Sequence, residues 1–168
     1  MRVAVTGTPG TGKTTATARL DTDLNIVHLN DVIQAEDLYT EVDEARDSKV
    51  ADLDAVREWL DAREDVLVES HLSHLLDADR VVVLRCAPGE LERRLLDRGE
   101  SSEKAEENAE SEALDVILSE SVRDHGRSNV YEIDTTGRDP DAVADDIAAV
   151  LAGDREPSAG EVDFTEYL

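Results

Sequence analysis

Residues 2–15 read RVAVTGTPGTGKTT, and the reading of the whole chain works outward from them. Arg2–Thr6 is a short run rich in β-branched residues, the composition a strand favours. It stops at Gly7, where Gly7-Thr8-Pro9-Gly10-Thr11-Gly12-Lys13-Thr14 fits the pattern G-x-x-x-x-G-K-[ST] without a mismatch. A helix is expected to follow over Thr14–Leu20. Each residue type has a physical reason to be there. Glycines let successive backbone N–H groups turn inward around a phosphate, which also meets the positive end of the helix dipole. Lys13 is placed to reach the β- and γ-phosphates, and the Thr14 hydroxyl to bind Mg²⁺. ATP is the expected occupant.

The remaining chain alternates strands with helices. Asn25–Leu29, Val66–Glu69, Val81–Leu84 and Val130–Ile133 are further strand candidates, and the middle two are continuous apolar runs suited to burial on both faces. Leu53, Val56 and Leu60 recur at helical spacing, as do Leu91 and Leu95 before a helix stop at Gly99. Leu114, Leu118 and Val122 suggest one stripe on a long helical segment from about 103 to 123. The last helix is fully punctuated, with Asp139 as N-cap, Pro140 at the first helical position and Gly153 closing it. The expected fold is therefore α/β, a three-layer phosphate-loop domain built on a five-stranded parallel sheet. Residues 1–153 are expected to form that domain. Residues 154–168 read as an acidic tail, with Phe164, Tyr167 and Leu168 as an apolar end that docks.

Composition narrows the classes. Within 168 residues, 41 acidic against 17 basic side chains give a net charge of −24, spread along the chain. That even spread favours a solvated acidic surface suited to high salt over a dedicated polycationic partner. The single cysteine, Cys86, precludes an intrachain disulfide and a cysteine-based zinc cage, and it reads as a buried structural thiol. There is no long apolar run, and the glycine-rich motif begins within ten residues of Met1, so neither a membrane span nor a leader is expected. Direct sequence-specific contact with nucleic acid is not expected either. The expected compartment is the cytoplasm.

Other chemistry gathers where strands end. Glu69, closing its strand, stands where a carboxylate would orient Mg²⁺, and His71 two residues on would point the same way, toward the phosphates. His74 reads as a surface residue on the following turn. Among the basic residues near Gly99, Arg93 and Arg94 suit ion pairs on a helix surface. Arg98 is the candidate to neutralise a transferring phosphoryl group, while Arg127 is left open. Asp134-Thr135-Thr136-Gly137 follows the fifth strand and borders the expected ligand crevice, which makes Thr136 a candidate for contact with the adenine. No NKxD-type guanine motif occurs after a strand, no DxxG switch sequence follows the third strand, and the chain is short for a motor, which leaves a small kinase.

VTGTPGTGKTT, the Asn30-Asp31 turn, a run of the type EDLY-x-x-x-DE from Glu36 to Glu44, an acidic-x-His strand end and a short Arg98-Gly99 lid occur together here. In that combination the chain resembles the atypical adenylate kinases known as adenylate kinase isoenzyme six, over about residues 2–150. The resemblance implies a nucleoside monophosphate kinase fold, phosphoryl transfer from ATP to AMP with Mg²⁺, and ATPase activity. It also implies a part in maturation of the small ribosomal subunit, through small-subunit ribosomal protein eleven. Carried across, Gly10, Gly12, Lys13, Thr14 and Thr15 would form the ATP-binding loop, to which the reading of the residues themselves adds Thr11, Arg98 and Thr136. Lys13, His71 and Arg98 would be catalytic, and Thr14 and Glu69 would serve the metal. Residues 30–62 would form the monophosphate-binding insert and 98–108 the lid. The family motif usually reads Asp-x-His, whereas this chain has Glu69-Ser70-His71. A small-metabolite kinase of the shikimate type shares the same loop and is the alternative. If the acidity is a high-salt adaptation, urea melts will show lower stability at about 0.1 M salt than at about 3 M, because screening relieves self-repulsion.

Overall fold

The computed structural model describes residues 1–43 and 48–168. Seven strands and seven α-helices are found among these residues. They are β1 Arg2–Thr6, α1 Lys13–Thr17, β2 Asn25–His28, α2 Leu29–Ala35, β3 Tyr39–Asp43, β4 Ser48–Ala51 and α3 Leu53–Asp61 in the first part. After them come β5 Val66–Glu69, β6 Arg80–Arg85, α4 Pro88–Asp97, α5 Ser102–Ala113, α6 Val116–His125, β7 Val130–Asp134 and α7 Pro140–Ala152.

Five strands form the expected parallel sheet, and their order is β2-β5-β1-β6-β7, with β1 at the centre. Alternation divides β1 between two layers. Val3 and Val5 pack with Leu67, Val82, Leu84 and Ile133 against Ala16 of α1 and Val143, Ile147 and Val150 of α7. Ala4 faces the other way with Val81 and Val83, beneath Leu118 of α6. Farther along that second face, Val66 and Val68 lie under Leu29, Ile33, Val56 and Leu60 of α2 and α3. Each of the valine, leucine and isoleucine side chains among these, when buried, stabilises the fold by about 1.5–3 kcal/mol before entropy is counted. The sheet thus carries helices on both sides, and all its carboxyl ends open on one edge. Among the described residues no helix is long and apolar enough to cross a membrane.

Three expectations are corrected. The segment from 103 to 123 is two helices, because Asp115 sits in the left-handed region at φ 55° and breaks the run between α5 and α6. Aspartate tolerates that conformation, and here its carboxylate accepts a 2.6 Å hydrogen bond from Arg85 Nη2. The supposed stripe fails with it, since Leu114 is exposed while Leu118 is buried. Second, the insert between α2 and α3 holds an antiparallel hairpin, β3–β4, which its short polar runs did not announce. Glu44, at the end of the EDLY-type run, lies outside the described residues. Third, of the three apolar residues expected to dock the C-terminal segment, Tyr167 and Leu168 are exposed, and only Phe164 is half-buried, against Arg85. Polar contacts hold the segment nearer its start. Ser158 N–H donates to Val130 O at 3.1 Å, and Glu132 N–H donates to Ser158 Oγ at 2.9 Å. The segment therefore covers the free edge of β7, an edge that would otherwise present unpaired backbone groups.

The turn from β1 into the phosphate loop is sterically tight. A Cβ on Gly7, whose φ is 148°, would stand 2.6 Å from Leu84 O and 2.7 Å from Thr11 Oγ1. Gly7→Ala should cost on the order of 2–3 kcal/mol, because backbone of β6 rather than a mobile side chain would have to yield. Urea unfolding in high salt will read that loss as a lowered midpoint.

Candidate active site

The loop between β1 and α1 lies at the middle of the sheet's carboxyl edge. In this structure Lys13 folds back over it, Nζ donating to Gly7 O at 2.8 Å and Thr8 O at 3.1 Å. Burial drives the Lys13 ammonium down to about 8; nearby Glu69 opposes that shift, and Arg98 adds to it. Lys13 is thus a weakly solvated cation, held by carbonyls that an anionic ligand would replace.

Beside it, Thr14 Oγ1 donates to Glu69 Oε1 at 3.3 Å. The other oxygen of Glu69 is 2.8 Å from His28 Nδ1. His28 and Glu69 are register partners at the ends of β2 and β5, so the sheet itself brings them together. Sequence reasoning missed His28, although its place one strand from Glu69 was the available signal. A hydroxyl and a carboxylate are hard oxygen donors, which suits Mg²⁺. Among the described residues no group of three or more His, Cys, Asp or Glu side chains could hold a metal ion unaided. The donor set fits an ion shared with nucleotide phosphates, the usual arrangement for Mg²⁺.

Two kinds of cavity flank the loop. On the side of α4 and α7, a cavity of about 350 Å³ is lined by Gly10, Thr11, Gly12, Thr15, Arg98 and Arg138, among others. Arg98 thus lines a cavity beside the phosphate loop together with Arg94 and Arg138. Arg94, read from the sequence as a surface residue, does make its expected ion pair with Glu90 at 2.8 Å. It also donates to Gly10 O at 3.3 Å and Thr135 O at 3.1 Å, which ties α4 to the loop and to the end of β7. Thr136 does not line this cavity. Its hydroxyl accepts from Ala87 N–H at 2.7 Å and donates to Asp134 Oδ1 at 2.7 Å, while Thr135 and Arg138 face the cavity instead. Cys86, just before α4, is fully buried, and burial pushes its thiol up to about 12, which makes it an inert core group.

On the other side, a cavity of about 470 Å³ is lined by Asn30, Gln34, Lys49, His71 and Leu72, below the β3–β4 hairpin. A third, of about 420 Å³, shares His71 and Leu72 with it and extends between Thr8, Pro9 and α5, where Lys104 and Asn108 line it. His71 stands between the two. Burial, reinforced by the Lys13 and His74 charges, lowers its imidazole to about 4, so it is neutral at ordinary pH. His74 is not a surface residue. It is 2% exposed, with Nδ1 2.8 Å from Thr6 Oγ1, Nε2 3.2 Å from Glu120 Oε2, and its carbonyl accepting from His125 Nε2 at 2.7 Å. It fastens α6 to β1. Arg127 is likewise structural, donating to Ala159 O at 2.8 Å.

Known proteins were compared with this architecture. The profile of a family described as "AAA domain" matches residues 3–115. A protein of Halobacterium salinarum named "Putative adenylate kinase" is 68% identical, with all of both chains covered. Relatives with the same name are 62% identical in Natronomonas pharaonis, again over all of both chains, and 44% identical in Methanosarcina acetivorans, over 99% of this chain and 94% of the other. Among solved structures, a shikimate kinase from Bacteroides thetaiotaomicron aligns with a TM-score of 0.56 at 17% identity, covering 91% of this chain and 98% of that one. A deoxyadenosine kinase from M. mycoides with bound dATP gives 0.55 at 16%, covering 90% and 100%. These two likenesses concern the fold.

The lowered proton affinity of Lys13 has a sign that can be tested. As pH rises through about 8 the free protein loses this charge, so a triphosphate must then bind with uptake of a proton. Calorimetric titration with ATP should give a Kd that is flat from about pH 6 to 7.5 and rises by up to about tenfold per unit above pH 8.

Proposed function

The chain belongs to the AAA domain family and to the archaeal group that carries the adenylate kinase name; we propose that it is a nucleotide kinase that transfers the γ-phosphoryl group of ATP to AMP and other nucleoside monophosphates. An oxygen of the AMP phosphate attacks the γ-phosphorus, the bond from that phosphorus to the β,γ-bridging oxygen breaks, and two ADP molecules leave. The observation that carries this reading is the placement of the loop between a donor-side cavity bearing Arg98 and an acceptor-side cavity bearing His71, with Lys13 buried between them.

In this reading the loop amides of Gly10–Thr15 and the Lys13 ammonium hold the donor phosphates. Thr14 and Glu69 would hold Mg²⁺, which would supply neutralisation of the phosphate charge. Arg98 lies over the donor cavity and offsets charge that spreads over the equatorial oxygens of the transferring group. Asn30, Gln34 and Lys49 receive the monophosphate. His71, uncharged, offers a hydrogen bond at the boundary of the two nucleotides without adding a second positive charge next to Lys13. The protein's contribution is positioning and electrostatics, since phosphoryl transfer asks for little covalent chemistry. We place the reaction in the cytoplasm.

A second reading rests on the net charge of −24 and on the family resemblance. It is an ATPase acting in small-subunit maturation, whose acidic surface meets a basic ribosomal protein, with water in place of AMP as acceptor. One assay separates the two: ATP in Mg²⁺ and high salt, with and without a panel of monophosphates and shikimate. AMP-dependent formation of ADP is the expected result, and Lys13→Ala should lower it by roughly a thousandfold or more. Hydrolysis of ATP with no phosphorylated acceptor would instead support the ATPase, and near-normal turnover by Lys13→Ala would remove the kinase assignment altogether.

A further inference from the structure

The loop that holds phosphate and the C-terminal segment are joined through the interior. Thr8, 2% exposed in the phosphate loop, donates its hydroxyl to Glu112 Oε1 at 3.2 Å. Glu112, at the end of α5 and 3% exposed, is held there by Arg85 Nε at 3.1 Å and by Cys86 N–H at 2.8 Å. Arg85, without exposed surface, donates Nη1 to Glu132 Oε2 at 2.8 Å. The other oxygen of Glu132 accepts two backbone N–H groups of the C-terminal segment, from Gly160 and, at 3.1 Å, from Glu161. Phe164 then lays its ring 5.3 Å from the Arg85 guanidinium.

Each carboxylate in this series shares its oxygens between Arg85 and other donors. A buried Glu132 relieved of the segment's amides would turn more of its charge on Arg85, and Arg85 would turn correspondingly from Glu112, which accepts the Thr8 hydroxyl. None of these groups lines the donor cavity, so their effect on a nucleotide passes through the loop backbone at Thr8. We propose that Glu112 is a positioning residue for the phosphate loop and that the C-terminal segment, by occupying Glu132, holds Glu112 in its setting through Arg85. The segment is then a built-in part of the donor site, and anything that lifts it from β7 loosens the grip on ATP.

This rests on ATP being the donor but not on AMP being the acceptor, so the test reads ATP binding alone. Calorimetric titration of the full chain with ATP, in Mg²⁺ and high salt, is compared across three variants and one pair. Thr8→Val keeps the shape of the side chain and removes the donor, and should raise Kd about tenfold, while Thr8→Ser keeps it within about twofold. Gly160→Val forces a β-branched residue to φ 93°, where its Cβ would also meet Arg127 Nη2 at 2.8 Å, and so detaches the segment from Glu132. It should raise Kd about threefold in the wild-type background and not at all in Thr8→Val, since both act along one path. Wild-type affinity in Thr8→Val, or the same weakening by Gly160→Val in both backgrounds, would overturn the proposal. Absence of ATP binding by the wild type would overturn it together with the kinase reading, whereas ATP binding without phosphorylation of AMP removes the acceptor assignment only.

Discussion

A guanidinium with no surface to water must have its charge answered inside the fold, and Arg85 is answered three times. Glu112, Asp115 and Glu132 all bond it, and although burial works against its charge, these carboxylates outweigh that and hold its proton above the ordinary arginine range. An isolated buried charge would cost several kcal/mol, and breaking a buried pair typically costs about 3–5 kcal/mol, so the four groups stand or fall together. Their positions fix much of the architecture. Arg85 closes β6, Glu112 closes α5, Asp115 is the break before α6, and Glu132 lies in the edge strand. The break in the long helical segment exists because Asp115 must turn back toward Arg85. The covering of β7 exists because Glu132 has an oxygen left to accept amides.

The same constraint explains how so acidic a chain spends its few cations. With 17 basic residues against 41 acidic ones, a surface neutralised by ion pairs was never available. Several arginines instead serve backbone carbonyls that loops and helix ends leave unpaired. Arg80 reaches Val150 O at the end of α7, Arg94 reaches Gly10 O and Thr135 O, and Arg155 donates to Glu132 O at 3.2 Å. A guanidinium suits this work because its planar fork satisfies several acceptors at once without losing its charge. The exposed face is left to carboxylates, which are strongly hydrated and repel one another through a screening solvent.

What was legible in the sequence was what is local. The strand, glycine turn and lysine of residues 2–15 specify one another over a few positions, and the punctuation of α7 by Asp139, Pro140 and Gly153 was readable for the same reason. The five strands and their parallel sense followed from apolar runs separated by helices, whereas their order in the sheet did not. What failed to show needed partners distant in sequence. His28 meets Glu69 only once β2 and β5 are in register, and His74 looks like a turn residue until Thr6 and Glu120 are placed on either side of it. Arg85 falls just beyond the expected strand Val81–Leu84, with nothing in the sequence to mark it as buried.

The glutamate at the end of β5 is where local and distant constraints meet. Against the Asp-x-His pattern of the resembling family, Glu69 is one methylene longer, and a longer side chain would ordinarily place its carboxylate less well. Here both of its oxygens are tied, Oε1 to the Thr14 hydroxyl and Oε2 to His28, with only 6% of the residue exposed. Rotamer freedom is therefore removed at the far end of the chain, which is where the extra methylene would have been felt. His28 is thus the counterpart of the longer acid: it stands one strand away, in register, and takes the oxygen not turned toward Thr14. The added length of Glu69 is used to span from the strand end to both neighbours, so the site keeps a fixed carboxylate beside the phosphate loop by a different division of labour between two strands.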